Sequence, residues 1–162
     1  MKKALVTWWA WFIGSHLCRR LLLKWYEVIC LDNLFTTDRS NIYDLVWNPK
    51  FSFVVHDVTQ PFMIQVDEIY SLACPNAPRY KEKNPVETAK TLVLGSINML
   101  ELASKIKAKI MLVSSSKVYG NNLDFTPCED YVWVVDQIWI RSAYSEWKDR
   151  KSTRLNSSHG YI

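Results

Sequence analysis

The sequence predicts an α/β fold, in which a doubly wound parallel sheet carries helices on both faces. Short apolar segments rich in β-branched residues alternate along the chain with longer segments of helical periodicity. The chain has 162 residues, of which 49% are hydrophobic and 22% are charged, as is usual for a globular domain with one core. Alternation of this kind favours parallel over antiparallel strand pairing.

The strands are expected at residues 3–7, 27–31, 51–55, 68–73 and 109–113. The main helices are expected at residues 12–24 and 85–104, with a short helix at 41–46 and a further helix from residue 142. The proline at position 85 suits the first turn of a helix. Ligands of parallel sheets bind at the carboxyl ends of the strands, so the segments directly after each strand form the candidate site.

The turn after the first strand, from Thr7 to Gly14, is TWWAWFIG. The chain holds only 4 glycines but 8 tryptophans, and together they make up about the 7% that glycine alone contributes to an average protein. With glycine at each tryptophan the turn becomes TGGAGFIG, a dinucleotide-binding pattern whose backbone approaches a pyrophosphate at a helix N-terminus. The candidate cofactor-binding residues in this turn are Trp8, Trp11, Phe12, Ile13 and Gly14. A tryptophan-rich turn that binds nothing fits the literal residues equally well.

Asp32 follows the second strand, 18 residues beyond Gly14. A carboxylate at this position can accept hydrogen bonds from the adenosine ribose hydroxyls, which favours NAD over NADP. Asn33, its neighbour, is a second candidate cofactor-binding residue.

Charge and cysteine patterns exclude several classes of function. A net charge of +4 without a basic cluster does not indicate a nucleic-acid partner. No run of 18 apolar residues is present, so no membrane-spanning helix is expected. The four cysteines form no C-x-x-C pair, which predicts a reducing cytoplasmic location and no metal site.

Six further segments have distinctive residue patterns: EVICLDN at 27–33, HDVTQP at 56–61, LACPNAPRYKEKNP at 72–85, KTLVLGSINMLELA at 90–103, SSSKVYG at 114–120 and IRSAYSEWK at 140–148. These segments resemble extended short-chain dehydrogenases/reductases that act on nucleotide sugars, most closely the UDP-glucuronate decarboxylases. The resemblance implies an NAD-binding, Rossmann-like domain over residues 1–148 that is truncated before the substrate-binding lobe. It also implies that the longer protein to which this domain belongs, the parent protein, is a homodimer.

The resemblance adds further cofactor-binding residues. It implies that Asp57 and Val58 contact the adenine edge, that Ala73 lines the nicotinamide side, and that Thr91 lies near the phosphates or ribose. Without the resemblance, Asp57 is a strand-end cap, Ala73 a core alanine and Thr91 a helix-surface threonine.

Tyr144 and Lys148 lie four residues apart on a predicted helix, so they share one face. A nearby ammonium lowers the pKa of a tyrosine, which can then take a proton from a sugar hydroxyl. The resemblance adds Ser115 as a hydrogen-bond partner of the same hydroxyl, and it implies that Tyr144 and Lys148 also bind the cofactor. A serine run that merely ends a strand is the alternative.

The resemblance implies that the parent protein converts UDP-glucuronate to UDP-xylose and CO2 through a 4-keto intermediate. Ser115 stands where the decarboxylases usually have threonine, which keeps the hydroxyl. Lys117 stands where they usually have glutamate, which reverses a charge beside the substrate. A UDP-sugar 4-epimerase or 4,6-dehydratase of the same family therefore stays open, as does a non-catalytic cofactor-binding remnant.

All eight tryptophans, at positions 8, 9, 11, 25, 47, 133, 139 and 147, fall where relatives usually carry glycine. We interpret them as UGA codons that the source bacterium translates as glycine. The final segment, residues 149–162, departs from the family, and its DRKSTRLNSSH stretch resembles a translated sequencing adaptor. We expect that tail to be non-native.

Overall fold

The computed structural model describes residues 1–7, 12–35, 40–72 and 84–115. Within them, five strands are β1 (Lys3–Thr7), β2 (Glu27–Asp32), β3 (Phe51–Val55), β4 (Glu68–Ser71) and β5 (Lys109–Leu112). The two α-helices of the described residues are α1 (Phe12–Leu23) and α2 (Pro85–Ile106), and a short 3-10 helix spans Ser40–Ile42. The predicted bounds of β1 and β3 are confirmed, whereas those of the other three strands and of the two α-helices differ by one or two residues at one end. The helix predicted from residue 142 lies outside the described residues.

The chain divides into two compact units. The first contains Met1–Cys74 and Leu94–Val113 and therefore holds the whole sheet. Of the second unit, the described residues are 84–93, which include the first part of α2, and residues 114–115.

The five strands form one parallel sheet with the order β3-β2-β1-β4-β5. The order reverses beside β1, because β2 lies on one side of it and β4 on the other. This is the strand order of a doubly wound Rossmann-like sheet, so the predicted fold class is confirmed.

Each face of the sheet carries its own hydrophobic cluster, because successive side chains of a strand point to opposite faces. On one face, Ala4 and Val6 pack with Cys18 and Leu21 of α1. On the other face, Leu5 packs with residues of α2 that include Met99 and Leu102. Burial on both faces explains why β1 and β2 are nearly continuous apolar runs.

The short helix predicted at 41–46 is confirmed only at its start, where Ser40–Ile42 form a 3-10 helix, whereas the residues that follow form turns. Its two buried apolar residues, Ile42 and Leu45, are three positions apart. The N–H of Leu45 donates to the carbonyl of Ile42 across 2.7 Å, and that of Asn48 to the carbonyl of Leu45 across 2.9 Å. A three-residue spacing matches the 3-10 period better than the α period.

A polar cluster lies at the amino end of the sheet, on the edge opposite the candidate site. Glu68, at the start of β4, accepts hydrogen bonds from Lys2, Tyr26 and Tyr70 at 2.9, 3.1 and 2.7 Å. These bonds hold the pKa of Glu68 below its usual value, with the Lys2 bond as the largest cause. Burial and the bond to Glu68 raise the pKa of Tyr70 to about 12.

Neither described helix has a stretch both long and apolar enough to cross a membrane.

Candidate functional site

The candidate site lies at the carboxyl edge of the sheet, where the strand order reverses between β1 and β4. Thr7 and Ser71 end these two strands and are register partners. Both are polar, yet they are only 0% and 2% exposed. Sequence reasoning missed them as site residues, although a polar residue closing an apolar strand is a usable signal.

Asp32 is the last residue of β2, and it is only 3% exposed. Its Oδ1 atom accepts a hydrogen bond from the N–H of Leu34 across 2.7 Å, which forms an Asx turn. Leu34 adopts a φ of 57° to complete this turn. The carboxylate is therefore held at the strand end by its own backbone.

Asn33 and Asp57 come together from neighbouring strand ends, 24 residues apart in the chain. The Nδ2 atom of Asn33 donates to Oδ2 of Asp57 across 3.0 Å. On the other side, Oδ1 of Asp57 accepts from the N–H of Thr59 across 2.8 Å. Burial acts to raise the pKa of Asp57, but these hydrogen bonds outweigh it and hold the pKa below its usual value. Asp57 is thus kept as an oriented anion.

The strand ends are also joined through the main chain. The N–H of His56 donates to the carbonyl of Asp32 across 3.1 Å, which continues the β2–β3 ladder by one bond. Four predicted site residues therefore lie on adjoining segments of one sheet edge: Asp32, Asn33, Asp57 and Val58.

Three more predicted residues begin α1, directly after the first turn. Phe12 and Ile13 are 72% and 67% exposed, whereas Gly14 is buried. The first four N–H groups of a helix have no partner within the helix, so these residues present backbone donors at the carboxyl edge. Such donors suit a phosphate group.

Two predicted residues belong to the second compact unit. Thr91 lies in α2, where its hydroxyl donates to the carbonyl of Glu87 across 2.9 Å. Ser115 is half-buried and follows the end of β5 by three residues. The predicted site residues Trp8, Trp11, Ala73, Tyr144 and Lys148 lie outside the described residues.

Asn98 of α2 is a residue that sequence reasoning missed. Its Nδ2 atom donates to the carbonyl of Val58 across 2.8 Å. A polar residue next to the buried Met99, on a helix that packs on the sheet, is the sequence signal that could have identified it.

Trp25 has a backbone conformation typical of glycine. It follows the end of α1 with a φ of 63°, in the left-handed region that a Cβ disfavours. Glycine would adopt this conformation without strain, and Leu34 and Lys107 also have positive φ values, of 57° and 59°. Trp47, the other described tryptophan, is 80% exposed.

Among the residues that the structure describes, no three His, Cys, Asp or Glu side chains come close enough together to hold a metal ion.

Known proteins similar to this chain indicate the family to which it belongs. A family model described as GDP-mannose 4,6 dehydratase matches residues 5–148. UDP-glucuronic acid decarboxylase 6 from Arabidopsis thaliana is 43% identical over 158 residues, which are 97% of this chain and 46% of that protein. The chain thus spans less than half the length of the curated relatives it matches.

Solved structures show the same fold. The dTDP-glucose 4,6-dehydratase from Streptomyces venezuelae, solved with NAD bound, is 25% identical with a TM-score of 0.83, covering 98% of this chain and 52% of that one. The UDP-N-acetylglucosamine 4-epimerase from Methanobrevibacter ruminantium, 21% identical with a TM-score of 0.86, covers 99% and 51% and shows the fold alone. Because the family match runs from β1 past the last described residue, the chain belongs to the GDP-mannose 4,6 dehydratase family, in agreement with its resemblance to extended short-chain dehydrogenases/reductases.

Proposed function

We propose that this chain is the cofactor-binding part of an NAD-dependent enzyme that decarboxylates UDP-glucuronate to UDP-xylose. The observation that carries the proposal is the 43% identity to a UDP-glucuronic acid decarboxylase across 97% of the chain. The predicted tail at residues 149–162 forms no part of this proposal. The parent protein is proposed to be a cytoplasmic homodimer.

The described residues fit the adenosine half of NAD. Asp32 supplies an oriented carboxylate at the end of β2, which suits two adjacent ribose hydroxyls. The Asp57–Val58 turn supplies polar groups for the adenine edge, and the start of α1 supplies backbone donors for phosphate. When bound, NAD would accept a hydride from C4 of the sugar and later return it.

The proposed chemistry of the chain itself is proton transfer and orientation. Tyr144, with its pKa lowered by Lys148, would take the proton of the C4 hydroxyl as the hydride leaves that carbon. Ser115 would hold the same hydroxyl by a hydrogen bond. The resulting 4-ketone lies β to the carboxylate, so it accepts the electron pair when CO2 departs. The enolate formed by the loss of CO2 then takes a proton on the carbon that carried the carboxylate, which restores the 4-ketone for the returning hydride.

Lys117 favours a second candidate function, a UDP-sugar 4-epimerase. A cation stands where the decarboxylases usually carry glutamate, and the serine run at 114–116 also resembles the corresponding segment of UDP-sugar 4-epimerases. Epimerisation uses the same C4 oxidation and return of hydride, without loss of carbon.

The test uses the product of the whole gene, with glycine at the eight tryptophan positions. Incubation with UDP-glucuronate should release CO2 and form UDP-xylose, measured by trapped carbonate and mass spectrometry. Conversion of UDP-glucose to UDP-galactose without CO2 would instead support the epimerase. Bound NAD without turnover of either substrate would contradict both functions and leave a 4,6-dehydratase or a non-catalytic remnant. The Tyr144→Phe variant is the matched control, and it should keep NAD binding while losing turnover.

A further inference from the structure

Helix α2 is tied to the turn after β3 by one side chain. The Nδ2 atom of Asn98 donates to the carbonyl oxygen of Val58 across 2.8 Å, although the two residues are 40 positions apart. Val58 is only 7% exposed and packs in the same cluster as Met99 and Leu102. The carbonyl therefore points toward a helix rather than toward water, and Asn98 satisfies it.

Gly95, three positions earlier on α2, allows the helix to approach this turn closely. A Cβ atom at Gly95 would lie 2.8 Å from Cγ2 and 3.3 Å from Cβ of Val58. Real Cβ atoms essentially never approach a neighbour as closely as 2.8 Å, so any larger residue would force the Val58 side chain or the helix to shift. Glycine is less favourable than alanine in a helix interior, and the close approach to Val58 explains why glycine is present here.

Asp57 lies directly before Val58 in this turn. Oδ1 of Asp57 accepts from the N–H of Thr59, and its carbonyl accepts from the N–H of Gln60 across 3.0 Å. These bonds shape the turn locally, and the bond from Asn33 joins it to the end of β2. The contacts of α2 with Val58 fix where the shaped turn lies relative to the sheet.

We propose that Gly95 and Asn98 are positioning residues for the nucleotide end of the site. They hold the Asp57–Val58 turn at one position, and so set how tightly the adenosine half of the cofactor is bound. The nucleotide part of this inference rests on the proposed function, whereas the positioning of the turn does not.

Hydrogen exchange in the chain as it stands tests the positioning of the turn. Asn98→Ala should speed amide exchange at Thr59 and Gln60 by roughly fivefold to tenfold, about the value of one hydrogen bond. Asn98→Asp, which keeps the size but loses the donor at neutral pH, should do at least as much. Ser104→Ala, an exposed position on the same helix, is the matched control and should change neither amide. Rates equal to those of the control in both Asn98 variants would overturn the inference.

Gly95 is tested by a compensating pair of substitutions. Gly95→Ala should perturb the amide shifts of residues 57–60, because its methyl group displaces Val58. Val58→Ala removes the Cγ2 atom, so Gly95→Ala should shift those amides far less in a Val58→Ala background. Equal shifts in the two backgrounds would show that the close contact is not what positions the turn.

Calorimetric titration of NAD and ADP into this chain, with glycine at all eight tryptophan positions, tests the nucleotide part of the inference. Asn98→Ala should weaken both ligands by the same factor, roughly fivefold to tenfold, because the effect lies at the adenosine end they share. Unchanged affinities would overturn the nucleotide part of the inference even if exchange accelerates, as would a loss for NAD alone. If the chain with glycine at the eight tryptophan positions and with Asn98 intact binds neither ligand, both the proposed function and the nucleotide part of the inference fail. The exchange result still decides the positioning of the turn.

Discussion

The N–H of Tyr26 donates to the carbonyl of Leu21 across 3.1 Å, closing the last turn of α1. The N–H of Trp25 donates inside it to the carbonyl of Leu22 across 3.0 Å, so the helix ends in a Schellman motif. The residue that donates the inner bond of this motif must adopt a left-handed conformation, and it is usually glycine. Trp25 occupies this position with a φ of 63°.

We expect Trp25→Gly to stabilise the chain by relieving the left-handed backbone. Lys107 follows α2 in the same conformation, with a φ of 59°, and is the matched position. Lys107→Gly should raise the free energy of unfolding by about 1 kcal/mol. Trp25→Gly should raise the free energy of unfolding by less, because the Lys50 Nζ lies 4.2 Å from the Trp25 ring centre. Loss of this cation–π contact costs about 0.5–1 kcal/mol.

Urea unfolding measures both variants. In a Lys50→Ala background the gain from Trp25→Gly should equal that from Lys107→Gly, since the cation–π contact is already absent. Destabilisation by Trp25→Gly in that background would contradict the assignment of glycine to this position.

The chain as it stands should not bind NAD measurably, whereas a version with glycine at all eight tryptophan positions should bind it. Each residue forced into a disfavoured backbone conformation costs about 1–3 kcal/mol, and indoles at Trp8 and Trp11 would also occupy the predicted pyrophosphate space. A loss of about 4 kcal/mol corresponds to roughly a thousandfold in affinity. Calorimetric titration compares the two chains. Tight binding by the tryptophan form, or UGG at the eight codons, would refute the decoding interpretation.

Asp57 should titrate below its ordinary value of 3.8. Its lowered pKa means that the carboxylate contributes stability above the unfolded-state value, and that this contribution is lost as pH falls through the folded-state pKa. Carbon-13 NMR of the carboxyl group measures the pKa directly. Asn33→Ala removes one donor and should move the pKa upward. A pKa that does not respond would show that the Asn33 bond does not stabilise the anion.

Tyr70 should ionise near pH 12 rather than near its ordinary value of 10.0. Because the folded-state pKa is raised, the stability contributed by the neutral phenol is complete below pH 10 and is lost as pH rises toward 12. Ultraviolet absorbance of tyrosinate follows this titration, with Tyr70→Phe identifying the signal. Glu68→Gln removes the adjacent charge and should lower the pKa, and an unchanged value would leave burial as the sole cause.

The predicted strands and their parallel order could be derived from the residues because two-sided burial leaves a direct pattern. A strand covered on both faces must be apolar at successive positions, as Ala4 to Val6 are. The candidate residues at the strand ends follow from the same reasoning. Once β2 and β3 are parallel neighbours, Asp32 and Asp57 must lie at the same edge.

Contacts between distant segments could not be derived in this way. Cys18 and Cys30 show no recognisable spacing, yet their Sγ atoms lie 3.3 Å apart because α1 packs on β2. Burial raises the pKa of the Cys30 thiol well above its usual range, and the Cys18 bond adds to this effect. Spacing alone does not specify which helix face docks on which strand.

Local residue pattern is sufficient for the class of the fold, for most element bounds and for the edge of the sheet that holds the site, since each depends on periodicity within one segment. The bonds of Asn33 to Asp57 and of Asn98 to Val58 span 24 and 40 residues. They exist only because packing of the sheet and of α2 brings those segments within hydrogen-bond distance, and a hydrogen bond requires that distance to within a few tenths of an ångström.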